Sequence, residues 1–149
     1  MSRIIIETDA EPKGQPRPRT FRNGGRTITH SPHNDYYFRI RAEAIKARLK
    51  RHGGLPEGVA VEIAADIYFA VPPSLSKKEK AARLAKRYHT QTPDTDNLAK
   101  AILDALVSAG LIPDDRQVFR LNISKEWAEQ NKTIIKIEWE EENQCKSGT

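Results

Sequence analysis

Asp94 and Asp96 stand one residue apart behind Pro93, at the mouth of a helix that the apolar spacing predicts over residues 96–109. Lys100 and Asp104 follow Asp96 at i+4 and i+8, on the polar ribbon of the same helix. Beyond Gly110 and Pro113 comes a second acidic pair, Asp114-Asp115. Carboxylates gathered without a cation repel one another, so their gathering points to a bound ion or a shared proton. Mg²⁺ takes hard oxygen ligands and needs only one or two carboxylates when water and a substrate phosphate complete its shell. Such an ion activates a water for in-line attack, polarises phosphoryl oxygens and stabilises the leaving oxygen. A neighbouring lysine steadies negative charge as it develops. Each part also has an ordinary reading. An aspartate at a helix start is a common cap, worth ~0.3–1 kcal/mol through the helix dipole. Asp96, Lys100 and Asp104 suit an exposed ion-pair ladder, and Asp114-Asp115 suits a turn. The metal reading carries a condition on the fold: Asp115 must return to within coordination reach of Asp94 and Asp96.

The helix that holds these groups is amphipathic, with Leu98, Ala101, Ile102, Ala105, Leu106 and Ala109 in one stripe. Ahead of it, Ser76 and Glu79 have capping-box spacing for a short helix that carries Lys77, Lys78, Lys80, Arg83, Lys86 and Arg87. His89 follows in a loop within reach of a phosphate, although a lone loop histidine is more often structural or solvated. Residues 34–52 predict a helix that Gly53-Gly54 stops. Alternation predicts strands over residues 3–7, 59–69, 117–126 and 132–140, the last two joined near Asn131-Lys132 as a hairpin. Residues 10–34 contain Pro12, Gly14, Pro16, Pro18, Gly24, Gly25 and Pro32, a density that predicts no regular element. That segment also carries Lys13, Arg17, Arg19, Arg22 and Arg26 with no acid after Glu11. It reads as a long basic loop suited to a phosphate backbone, the plain alternative being a solvated segment without a function.

The fold class expected from these elements is α+β: a single domain over residues 1–149 with a small mixed or antiparallel sheet, two main helices and a C-terminal hairpin. A polar tail occupies residues 141–149. A length of 149 residues suits one hydrophobic core. The net charge of +5 raises the expectation of a polyanionic partner. The single cysteine, Cys145, excludes an intrachain disulfide framework and a thiolate zinc site. No apolar run approaches the ~20 residues of a membrane span, and no signal peptide is evident. A cytoplasmic protein without a membrane partner is expected.

The run Asp94-x-Asp96-Asn97-Leu98-x-Lys100-x-x-x-Asp104-Ala105-Leu106, then Gly110 and Asp114-Asp115-x-Gln117-Val118, resembles the signature of the RusA family of Holliday junction resolvases. These are often carried by phages and prophages. Weaker similarity covers the Lys13-Gly14-Gln15-Pro16-Arg17-Pro18-Arg19 opening, the Lys/Arg-rich segment before the motif and a terminal hairpin. The resemblance implies a small homodimeric endonuclease that makes Mg²⁺-dependent paired nicks in four-way DNA junctions during recombination and repair. Mn²⁺ is a possible substitute, and no small-molecule cofactor is implied. Metal-binding carboxylates fall on Asp94, Asp96 and Asp115, the essential lysine falls on Lys100, and Asp104 and Asp114 match motif positions beside them. Arg17, Arg19, Arg22, Arg26, Lys77, Lys78, Lys80, Arg83, Lys86 and Arg87 are then expected to contact the DNA backbone irrespective of sequence. A junction with two-fold symmetry calls for two symmetric cuts, which suits a dimer. Two other classes remain open: a metal-dependent nuclease acting on flaps, forks or ordinary duplex, and a non-catalytic junction-binding protein whose acids hold an ion for structure.

Overall fold

Residues 1–16, 19–30 and 33–141 are described by a computed structural model, Arg19 and His30 by their backbone alone. In chain order come β1 (Ser2–Thr8), β2 (Arg19–Asn23), β3 (Arg26–His30), α1 (Asp35–Lys50), β4 (Val61–Ala70), α2 (Lys77–Lys86) and α3 (Thr95–Ser108). A 3-10 turn at Asp115–Gln117 leads into β5 (Val118–Ala128), and β6 (Lys132–Trp139) closes the fold. The fold is α+β, with a four-stranded mixed sheet in the order β1-β6-β4-β5 and a separate β2–β3 ribbon.

The alternation along β4 puts Val61, Ile63, Ala65, Ile67 and Phe69 on the helix side. There they meet Tyr36, Ile40 and Ala44 of α1, Leu98, Ile102 and Leu106 of α3, and Ile135 and Ile137 of β6. Full burial of each such large aliphatic contributes roughly 1.5–3 kcal/mol. Inside the core the Tyr36 and Thr133 hydroxyls satisfy each other through a 2.8 Å bond.

One connection fixes the site. β4 and β5 pair in parallel, from Val61 opposite Val118 to Ala70 opposite Ala128. The chain between them is therefore a crossover, and α3 is its return leg. The start of α3 lies level with the C-terminal end of β5, and the end of α3 lies level with its beginning.

Two sequence expectations are corrected. Residues 19–30 form a hairpin although the breaker density argued against any element. No proline falls within residues 19–30, and Gly24 (φ +59) and Gly25 (φ +79) supply the two positive-φ residues that a tight hairpin turn requires. β5 and β6 are not paired with each other, because β4 lies between them. Their short link passes over the end of β4, where Asn131 Oδ1 accepts the Ala70 N–H at 2.9 Å. Among the described residues three helices form, α2 with the predicted reciprocal capping box between Ser76 and Glu79.

Candidate functional site

Asp94 occupies the N-cap position of α3, yet its side chain caps nothing. Its carboxylate is exposed, as are Asp96 and Lys100. Among the described residues, none of the side chains of Asp94, Asp96, Lys100 and Asp104 forms an ion pair or hydrogen bond. The ladder expected of an ordinary helix surface is therefore not formed. The mouth of α3 presents two uncommitted carboxylates, a lysine one turn below, and first-turn N–H groups without a side-chain cap.

Asp115 does not join them within one chain. It lines a shallow depression of about 450 Å³ with Asp104, Asp114 and His33. Asp104 lies eight residues beyond Asp96, about 12 Å further along the helix axis. The crossover explains the separation, since residues just before β5 must lie near the C-terminal end of α3. Among the described residues, no three His, Cys, Asp or Glu side chains gather within reach of one ion. The expected return of Asp115 to Asp94 and Asp96 is corrected for the single chain. Asp94 and Asp96 still fit a cation that needs only one or two carboxylates. Asp114 is committed elsewhere: it accepts the Arg116 N–H at 2.9 Å and the Arg116 guanidinium at 2.9 and 2.7 Å. The guanidinium bond holds its carboxyl down to about 2.

The mouth of α3 is where several distant segments meet. The Gly14 carbonyl accepts the Asn34 amide at 2.9 Å, and the Gln15 N–H reaches the Asn97 carbonyl at 3.4 Å. A Cβ at position 14 would lie 3.0 Å from Asn97 Cβ and 3.2 Å from Pro93 Cβ, so glycine permits this approach. The β2–β3 ribbon is thus an excursion rooted at the start of α3. On the other side, Lys125 of β5 donates to the Gln91 carbonyl at 2.7 Å. Burial pushes its ammonium below the ordinary range, and the nearby Asp94 carboxylate pulls the other way. His89 is buried between Phe69 (ring centroids 3.9 Å) and Trp127 (4.3 Å). It is structural, as a lone loop histidine was expected to be.

Of the expected DNA contacts, Arg22 and Arg26 are exposed on the ribbon, and Lys77 and Lys78 are exposed on α2. Lys80 is half-buried, and none of these five forms an ion pair among the described residues. Arg83 lies over the Trp127 ring at 4.8 Å, Lys86 donates to Thr90 Oγ1 at 3.0 Å, and Arg87 is paired with Glu126. Arg17 and the tail from residue 142 lie outside the described residues. The reading of the motif missed Lys125. Its signal was a lysine at an inward register position among Leu121, Ile123 and Trp127.

Comparison with known sequences settles the kinship. The model of the RusA endodeoxyribonuclease family matches residues 9–138, which contain every element from the ribbon to β5 and all of β6 but its last residue, Trp139. The chain belongs to the RusA family. It is also 30% identical over 141 residues to the uncharacterized protein YqaN of Bacillus subtilis (strain 168), an alignment that covers 92% of this chain and 96% of YqaN. RusA family membership makes the chain an endodeoxyribonuclease by kinship, and the matched span carries Asp94, Asp96, Lys100 and Asp115. Among the described residues, no helix is long and apolar enough to cross a membrane.

Proposed function

We propose that this RusA family member is a Mg²⁺-dependent, structure-specific nuclease that resolves four-way DNA junctions by paired symmetric nicks, in recombination and repair in the cytoplasm. Mn²⁺ substitutes for Mg²⁺. The carrying observation is the mouth of α3, where the side chains of Asp94, Asp96 and Lys100 have no hydrogen-bond or ion-pair partner among the described residues and both basic elements are rooted nearby. Free carboxylates held together at an exposed helix start, in a chain of net charge +5, suit a cation and a phosphate better than a stability role.

Asp94 and Asp96 hold the ion in this reading, and Asp115 of the partner subunit completes the set in a homodimer. When bound, the ion supplies charge stabilisation at the scissile phosphate and acidifies water. The protein side chains bind and orient. Lys100 takes a non-bridging phosphate oxygen or the charge that develops on it. The uncapped N–H groups of the first turn of α3 offer further donors to the same oxygens. Arg22, Arg26, Lys77, Lys78 and Lys80 follow the phosphates of the junction arms.

The test is cleavage of a fixed four-way junction, a flap and a linear duplex in parallel, with and without Mg²⁺, by the parent protein and by Asp96→Asn. The expected result is paired nicks in the junction alone, only with the divalent ion, and none by Asp96→Asn. Equal or better cutting of the flap would move the assignment to a flap or fork nuclease. Tight junction binding with no cutting under Mg²⁺ or Mn²⁺ would leave a binding protein and overturn the nuclease assignment.

A further inference from the structure

Lys125 stands out among the groups this function does not use. It occupies an inward register position on β5 opposite Ile67, where an aliphatic residue is the ordinary choice. Its Nζ lies 5.8 Å from the centroid of the Phe69 ring and donates to the Gln91 carbonyl at 2.7 Å. The Lys125 carbonyl accepts the His89 N–H at 3.0 Å, so this one residue grips the loop before α3 through both backbone and side chain. Among the described residues, this side chain makes the one hydrogen bond from the sheet to residues 90–93. Lys86, on α2, ties Thr90 from outside the sheet.

The choice of acceptor is informative. Asp94 is close enough for its charge to act on Lys125, yet the two form no ion pair within 4.0 Å. The ammonium is committed to a carbonyl three residues earlier, so the loop is pinned while the carboxylate of Asp94 stays uncommitted. We propose that Lys125 is a positioning residue for Asp94, fixing the loop at Gln91 so that the Asp94 carboxylate faces the cation. This rests on the reading of Asp94 as a metal ligand.

Two effects of removing Lys125 have opposite signs, which makes the proposal testable. Losing a nearby positive charge would draw a divalent cation in more strongly. Losing the tether would let Asp94 wander and weaken binding. Partners bonded to a metal ligand typically matter roughly 10–100-fold in metal affinity, so a tether three residues away belongs at the low end, whereas a screened charge at an exposed site counts for less. The tether should therefore win.

The experiment is Mn²⁺ titration of the full-length protein by electron paramagnetic resonance. The variants are Lys125→Met, Lys125→Arg, Asp94→Asn and the Lys125→Met/Asp94→Asn double variant. Lys125→Met should weaken Mn²⁺ about 10-fold and raise the Mg²⁺ needed for half-maximal junction cleavage, with metal-free junction binding unchanged. Lys125→Arg should recover most of the loss, because a guanidinium still reaches a carbonyl. In the Asp94→Asn background Lys125→Met should add little, since the two act as one unit. Tighter Mn²⁺ binding by Lys125→Met, an equal loss in the Asp94→Asn background, or a loss of metal-free junction binding would each overturn the proposal. If Lys125→Met melts well below the parent, Lys125→Leu, which also lacks a donor, takes its place with the same outcomes. Parent protein that binds no Mn²⁺ and cuts nothing would instead remove the metal reading itself. A parent that binds and cuts, beside an indifferent Lys125, would remove only the positioning role.

Discussion

His89 shows how one residue near the site can be functional in appearance and structural in fact. The ring is stacked on Phe69 at an interplanar angle of 21° and its Nδ1 is buried without a partner. Burial, helped by the nearby Lys125 ammonium, pushes its pKa down to about 4. In the unfolded chain the same imidazole titrates near ~6.5. Between those values the unfolded state carries more protons than the folded state, so stability rises with pH across that window. It is fully present above about pH 6.5 and is lost as pH falls toward 4, by roughly 2–3 kcal/mol. Urea midpoints at about pH 7 and about pH 4.5 should fall further apart for the parent than for His89→Phe, whose ring keeps the stack and does not titrate. Equal separations in the two proteins would mean that the imidazole is already charged in the fold. Asp94, Asp96 and Lys100 are different, since among the described residues their side chains make no hydrogen bond or ion pair. Their types and spacing were legible in the sequence because Leu98, Ile102 and Leu106 fix the helix locally, and with it the ribbon that bears the polar groups.

The elements divide by how local their causes are. Ser76 and Glu79 announce the start of α2 within four residues, and β4 declares its buried face by alternation alone. The β2–β3 ribbon was equally local but was hidden by counting prolines over a window wider than the Arg19–His30 ribbon itself. What no window contains is the order of strands. The alternation of β5 and β6 is clear in the sequence, yet that β4 separates them follows from packing between residues tens of positions apart. The position of Asp115 depends on that order, and so its distance from Asp94 was not legible. The ribbon also yields a test. A two-stranded ribbon standing alone is marginal in water, so Phe21 opposite Ile28 and the Gly14–Asn34 root must hold its shape. Its exposed Arg22 and Arg26 have no acid on the ribbon to answer them. If both lie on phosphates, Arg22→Ala/Arg26→Ala should lower the slope of log K against log salt by roughly 2, at about 0.9 per phosphate contact. Binding isotherms on one junction across a salt series measure this. An unchanged slope would take the ribbon off the DNA.

At the scale of the whole molecule the charges sort themselves. The sheet face away from the helices pairs its ions across strands, Arg3 with Glu138 at 3.3 Å and Arg120 with Glu62 at 3.4 Å. The exposed Arg22, Arg26, Lys77 and Lys78 pair with nothing among the described residues, and they belong to the elements that flank the mouth of α3. One subunit thus offers a basic approach to Asp94 and Asp96 and keeps Asp115 at the far end of the same helix. Two subunits related by a two-fold axis that sets their α3 helices antiparallel would bring each Asp94–Asp96 pair to Asp115 of the partner subunit. Such an axis makes two identical sites, the number that paired nicking needs. Mixed dimers decide the matter. Asp96→Asn and Asp115→Asn should each be inactive alone. In a purified heterodimer of the two, a site shared between subunits leaves one centre with both substitutions and one with neither. The heterodimer should therefore nick one strand of a junction at about half the parent rate and stop short of resolution. If each site is instead built within one chain, both centres of the heterodimer carry a lesion and no nick forms. A parent protein that stays monomeric on junction DNA and still cuts it would refute the shared site as directly.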